Sequence, residues 1–131
     1  TEDPFTDRER SDGVTLGTPH FMAPELQKGR AWMADERSDI YSFGATLYGV
    51  FVGRAPFMPS AKNLTELLQR LHYAKTAMNY DFLSMKRRGL HPGFSALIHR
   101  MLQPKPERRI QTFYEVLAEL ESIERDLIQK Q

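Results

Sequence analysis

Residues 38–52 read SDIYSFGATLYGVFV. Wound at 3.6 residues per turn, Ile40, Tyr41, Phe43, Ala45, Leu47, Tyr48, Val50, Phe51 and Val52 do not gather into one stripe but surround the axis. A helix that is apolar all round is a buried helix. At about fifteen residues it is shorter than the ~20 apolar residues a bilayer span needs, and it carries Asp39, so the burial it predicts is inside protein. The segments on either side are expected to pack around it. Ser38 reads as its N-cap, Asp39 sits in the first turn where the helix dipole favours negative charge, and Gly53 closes it.

Working outward, residues 1–14 mix charged and small polar groups with few apolar ones and read as a mobile surface loop. Pro19 and Pro24 push their preceding residues away from helical dihedrals, so 16–23 is expected to be extended or turned, with a short helix starting near Pro24 and ending at Lys28, Gly29 and Arg30. After the central helix, Leu64, Leu67, Leu68 and Leu71 recur at helical spacing behind Asn63, a cap with Glu66 three residues on. Residues 72–93 show no clean period and read as a loop that can hold helical turns. Phe94, Leu97, Ile98, Met101 and Leu102 share a helical face that stops before Pro104 and Pro106. Thr112 and Glu115 form a capping box ahead of a last helix whose stripe is Val116, Leu117, Leu120, Ile123 and Leu127. No stretch alternates long enough for a sheet, so the fold class is mainly α, four or five helices around one buried central helix and no internal repeat.

The 131 residues make one domain with room for a core, at 40% hydrophobic and 27% charged. Eighteen basic residues against seventeen acidic leave a formal charge of +1, which gives no electrostatic argument for nucleic acid or an anionic membrane. The absence of cysteine excludes disulfides and thiolate metal sites and fits a reducing, cytoplasmic setting. The chain opens on TEDPFTDRER, without an apolar leader or a Met, and so reads as processed, excised or incomplete.

Several local patterns are decoys. Gly44 and Gly49 have Walker-loop spacing, yet Val50 and Phe51 stand where Lys and Ser/Thr would reach phosphate and magnesium; they read as helix-interior glycines that allow close packing. The four histidines lack the i, i+4 spacing of a helical metal site, so no metal is expected, and no serine sits in a Gly-x-Ser-x-Gly elbow.

Four short motifs, in order, carry more. Gly17-Thr18-Pro19-His20-Phe21-Met22-Ala23-Pro24-Glu25 resembles the end of the activation segment of Ser/Thr protein kinases, closing in Ala-Pro-Glu. Asp39-Ile40-Tyr41-Ser42-Phe43-Gly44 resembles the Asp-x-Trp-x-x-Gly start of that family's large central helix, with Tyr41 in place of the usual aromatic. Gly53-Arg54-Ala55-Pro56-Phe57 is similar to its Gly-x-x-Pro-Phe turn. Pro106-Glu107-Arg108-Arg109 resembles its Pro-x-x-Arg signature, although Lys105 departs from the usual acidic or Asn residue. The resemblance runs from about Gly13 to Glu124 and implies the helical C-terminal subdomain of the protein-kinase-like fold, with 1–25 the remainder of the activation segment and 26–131 the helical subdomain.

The resemblance also implies roles. Glu25 pairs with Arg109 and ties the activation segment to the final helices, while Asp39, with Gly44 completing its motif, holds the backbone of a catalytic loop. Thr18 and Pro19 line the floor on which a protein substrate is bound, in a context that favours Ser/Thr over Tyr. Thr15 and Ser11 are candidate phosphorylation sites.

A kinase further needs a glycine-rich loop, a strand Lys with its Glu, a His-Arg-Asp loop and Asp-Phe-Gly, and none of these is in the 131 residues. Asp81-Phe82-Leu83 and His99-Arg100-Met101 are superficially similar to two of them but follow the central helix and lack the deciding residue. The chain itself is therefore expected to supply no catalytic residue and to bind no cofactor, with ATP and magnesium implied for the parent enzyme. Its expected partners are a protein substrate and the missing N-terminal part of the kinase domain, with no nucleic acid and no membrane segment. The alternative is a stand-alone helical interaction module, a pseudokinase remnant or half of a split kinase. An upstream reading frame encoding His-Arg-Asp and Asp-Phe-Gly decides between them.

Overall fold

The computed structural model describes residues 19–129. The loop expected over 1–14, and with it Ser11, Thr15 and Thr18, lies outside the described residues. Within them are five α-helices: α1 (Glu36–Val52), α2 (Leu64–Thr76), α3 (Phe82–Arg87), α4 (Pro92–Met101) and α5 (Phe113–Gln129). Two 3-10 turns, Pro24–Gly29 and Ala31–Met33, precede α1, and a third, Pro106–Arg108, lies between α4 and α5. No strand occurs among the described residues, so the chain is mainly α, as its periodicities predict.

The cap of helix α1 lies three residues before the expected one. Asp35 is its cap, with a carboxylate oxygen accepting from the Arg37 N–H at 2.9 Å. Ser38 is instead the third helical residue; its hydroxyl accepts from the Asp35 N–H and is drawn inward by a bond to Glu25. At the other end Gly53 takes φ +95°, the left-handed conformation that stops the helix, and donates to the Gly49 carbonyl at 2.8 Å.

The apolar girth of α1 is not covered all round. Ile40, Tyr41, Gly44, Ala45, Tyr48 and Val52 are buried, whereas Phe43 is 37% and Val50 70% exposed. With Asp39 and Thr46 these two form a solvent-facing stripe at spacings of 4, 3 and 4 residues. Helices α4 and α3 cover the opposite side, and nothing described crosses the stripe closely enough to bury it.

Two apolar clusters meet on α1. Tyr41, Ala45, Tyr48 and Val52 pack with Phe57, Leu71, Met85, Ile98 and Leu102, while Ile40 packs with Leu97, Met101, Ile110, Val116 and Ile123. Each fully buried Leu, Ile or Met side chain contributes ~1.5–3 kcal/mol of transfer free energy, so α1, which serves both clusters, organises the stability of the whole. The α1–α4 crossing is close because of Gly44: a Cβ built there would stand 2.7 Å from the Met101 Cβ. Edge-to-face ring pairs, Phe51 with Phe94 at 4.9 Å and Tyr48 with Tyr80 at 5.7 Å, fill the space around it.

The outer helices differ from expectation in extent and face. Asn63 caps α2, accepting from the Glu66 N–H at 2.9 Å, but the helix runs on to Thr76. Only Leu71 and Lys75 on it are buried, and Leu64 and Leu68 are exposed, because the C-terminal half of α2 is what meets the core and the 3-10 turn. Residues 72–93 contain α3, capped by Asp81 through the Ser84 N–H. Six residues are too few for a period to show. On α5 Val116 and Ile123 are buried but Leu117 and Leu127 are exposed, since the helix rests chiefly on α4. Thr112 accepts from the Glu115 N–H, and Glu115 reaches back to the Gln111 N–H, one residue earlier than a reciprocal box requires.

Candidate functional site

Around the first 3-10 turn, residues far apart in sequence converge. Glu25, on the turn's first residues, meets Arg109, just after the turn Pro106–Arg108. The two guanidinium nitrogens donate to the two carboxylate oxygens at 2.8 and 2.9 Å, with side chains 0% and 6% exposed for Arg109 and Glu25. The remaining donors of Arg109 go to backbone carbonyls of Gln103, Pro104 and Arg37, so each N–H is committed. Ser38 donates to Glu25 Oε2 at 2.9 Å, and the Tyr41 ring lies 5.0 Å from the guanidinium carbon. Burial pushes the Glu25 carboxyl up, but the bonds and charge of Arg109 outweigh it and hold the group below its ordinary value. Burial among apolar neighbours drives the Tyr41 hydroxyl upward, and its oxygen has no partner among the described residues.

Preceding Glu25, residues 19–21 are helical, not extended or turned as the two prolines led one to expect, and Met22 is a bend; backbone carbonyls of this stretch are taken by side chains of two helices. Lys75 Nζ, on the last turn of α2, donates to the Pro19 carbonyl at 2.6 Å and the Met22 carbonyl at 2.8 Å. Ser42 of α1 donates to the Phe21 carbonyl at 2.9 Å. A short helical stretch that ends at Met22 leaves carbonyls without intrahelical partners, and these three bonds serve three of its four residues. Lys75 is 0% exposed; burial lowers its pKa to about 7. The His20 imidazole is held below its ordinary value by burial and then by the charge of Lys75.

Of the expected site residues, the structure brings Glu25 and Arg109 together and buries Pro19 beside Lys75. Gly44 lies in the α1–α4 contact, away from that group. Asp39 is exposed on the first turn of α1, and its carboxylate bonds to no described residue. From it the stripe Phe43, Thr46, Val50 leads to a shallow depression of about 460 Å³, walled by Phe21, Gly49 and Arg54. The segment holding Phe21 and the open face of α1 are thus continuous.

Lys75 escapes a sequence reading that looks for motifs, and the contacts made by Ser38, at the expected cap, and by Tyr41 and Ser42, inside the Asp39–Gly44 motif, are not legible from those patterns. One signal for Lys75 is present: it falls at the next position of the α2 apolar stripe, four residues after Leu71, where a charge is out of place. The similar-looking triplets have ordinary roles. Asp81 is a helix cap that also takes Arg54 and Arg87, and His99 Nδ1 meets the Tyr80 hydroxyl at 2.6 Å. His91 accepts from the Gly93 N–H and contacts Asp126 at 2.5 Å, linking α4 to α5. No group of three His, Cys, Asp or Glu side chains that could hold a metal occurs among the described residues, and no described helix is long and apolar enough to cross a membrane.

Residues 6–120 match the family model of the protein kinase domain. The chain is 35% identical over 94 residues to the serine/threonine-protein kinase atg1 of Schizosaccharomyces pombe, a match covering 72% of this chain and 10% of that protein. It is 34% identical over 105 residues to the serine/threonine-protein kinase pkn2 of Myxococcus xanthus, covering 79% of this chain and 12% of that one. Against the serine/threonine-protein kinase PksC of Streptomyces coelicolor the identity is 35% over 97 residues, 74% of this chain and 16% of the relative. The matched region is about a tenth to a sixth of the length of these relatives.

Proposed function

The chain belongs to the protein kinase domain family, and from that premise we propose that it is the helical, substrate-carrying base of a Ser/Thr protein kinase. The parent enzyme transfers the γ-phosphoryl group of ATP to a Ser or Thr hydroxyl. Phosphoryl transfer asks a protein chiefly for positioning and electrostatic stabilisation. The part of that task assigned to this chain is positioning: Thr18 and Pro19 form the floor under the acceptor residue, and Glu25 with Arg109 fixes that floor to the helices.

The observation that carries the reading is the bidentate Glu25–Arg109 pair, which joins the segment ahead of α1 to the turn ahead of α5. The exposed stripe Asp39, Phe43, Thr46 and Val50 supports it further. A helix with an apolar and acidic face left to solvent is suited to a further body of protein carrying the catalytic loop, whose backbone N–H groups Asp39 would accept from. The residues present do not fit magnesium and ATP. The described ones hold no three-ligand acidic cluster, and the sequence has no glycine-rich loop leading to a strand Lys. No step is therefore assigned to nucleotide on this chain.

Calorimetric titration of Mg-ATP into the 131-residue chain tests the assignment. No binding heat is expected, and micromolar affinity overturns it. The reading also requires that the frame upstream encode His-Arg-Asp and Asp-Phe-Gly, and that the longer product phosphorylate a Ser- and Thr-bearing protein. An in-frame stop with a local start in their place overturns it in favour of a stand-alone module.

A further inference from the structure

Lys75 is the most unusual group in the molecule that the motifs leave unused. It is a wholly buried amine, and what it meets is main chain: the carbonyls of Pro19 and Met22, at 2.6 and 2.8 Å. The nearest acid along the segment, Glu25, is committed to Arg109, and His20 is the neighbouring titratable group that feels the charge of Lys75. His72 lies one turn back on α2, and the side chain that α1 sends to the same segment is the neutral Ser42, on the Phe21 carbonyl. Burying an amine without a carboxylate is costly, so α2 holds it there against a standing penalty.

What that penalty secures is geometric. The two carbonyls bracket residues 19–22, and the bond from Ser42 to Phe21 falls between them. The short Nζ distances are those of charge-assisted bonds. A neutral amine still has two hydrogens for two carbonyls, but its bonds are weaker. We propose that Lys75 is a positioning residue for the substrate floor: through its two carbonyl bonds α2 sets the height and order of residues 19–22, onto which the phosphate-accepting residue of a protein substrate is laid. The proposal rests on the reading of that segment given above, and it makes α2 part of the substrate site without touching substrate.

Amide shifts and hydrogen exchange of residues 20–23 in the 131-residue chain, followed from pH 5.5 to 9, test the tether without any nucleotide. The expected result is one midpoint at about 7, where burial places Lys75, shared by its own side-chain carbon resonances. In Lys75→Met that midpoint disappears and the 20–23 amides exchange at least ~10-fold faster, while those of 97–101 keep their rates. His20→Gln leaves the midpoint in place. Unchanged exchange in Lys75→Met, or a midpoint that survives in it, overturns the proposal. So does a wild-type profile in which Lys75 titrates and the 20–23 amides do not respond, a result that needs no variant to fold. In the whole kinase, Lys75→Met raises KM for protein substrate about tenfold with KM for ATP unchanged. An equal rise in both removes the link to the substrate floor, and a tether seen without kinase activity would count against the kinase reading alone.

Discussion

Arg109 and Glu25, 84 residues apart in sequence, are joined nitrogen to oxygen through two parallel bonds of 2.8 and 2.9 Å with almost no solvent access. Such a pair is worth little against a well-packed apolar alternative, but removing one member strands the other charge. Glu25→Ala should therefore cost on the order of 3–5 kcal/mol in urea unfolding. The double variant Glu25→Ala with Arg109→Met should recover part of the loss. A single-variant loss below about 1 kcal/mol, the range of exposed pairs, would show that the site is open to water.

The same pair makes the fold acid-sensitive. Burial raises the Glu25 carboxyl, Arg109 more than offsets it, and the folded-state value lies below the unfolded one. A depressed carboxylate stabilises fully above its unfolded pKa, and that contribution is lost as pH falls through the folded value. The chain should lose stability from pH 5 downward, and Glu25→Gln should flatten that part of the profile. An unchanged acid limb in Glu25→Gln would place the sensitivity elsewhere.

Gly44→Ala tests the α1–α4 contact. The added methyl would lie 2.7 Å from the Met101 Cβ, an atom fixed to its own helix backbone, so relief requires the helices to part. The gain in helix propensity, up to ~1 kcal/mol, works against an overpacking cost of ~1–3 kcal/mol. A net loss is expected in thermal unfolding, and a stabilised variant would mean the contact can relax.

Much of this was readable from spacing. The glycine stop at Gly53, the Asn63 cap, the face of α4 and the buried Val116 and Ile123 follow from local chemistry that the rest of the chain does not contradict. The start of α1 is not legible because two good caps stand three residues apart, and the one nearer the apolar run, Ser38, is taken by Glu25, thirteen residues upstream. The exposure of Phe43, Val50, Leu64 and Leu117 was hidden for a related reason: apolar periodicity shows which face can be buried, not whether anything arrives to cover it. At the site, Glu25 and Arg109 pair side chain to side chain, whereas Lys75, and Ser42 within its motif, act through backbone carbonyls, and any sequence has carbonyls at every position.

Lys75 also sets a stability profile with a definite sign. Its folded pKa is about 7 and its unfolded one 10.5, so between those values the unfolded chain keeps a proton that the folded chain has given up. The unfolded state then binds more protons, and stability rises with pH across the window, by up to about 1.4 kcal/mol for each pH unit. Below pH 7 both states are protonated and the profile levels off. Urea unfolding of wild type and Lys75→Met at pH 6.5, 8 and 9.5, both in a His20→Gln background that removes the imidazole coupled to Lys75, isolates the effect. The difference in stability, wild type minus variant, should climb steadily over the three pH values. A flat difference would mean that the amine keeps its charge in the fold, held by the carbonyls of Pro19 and Met22 strongly enough to cancel the burial.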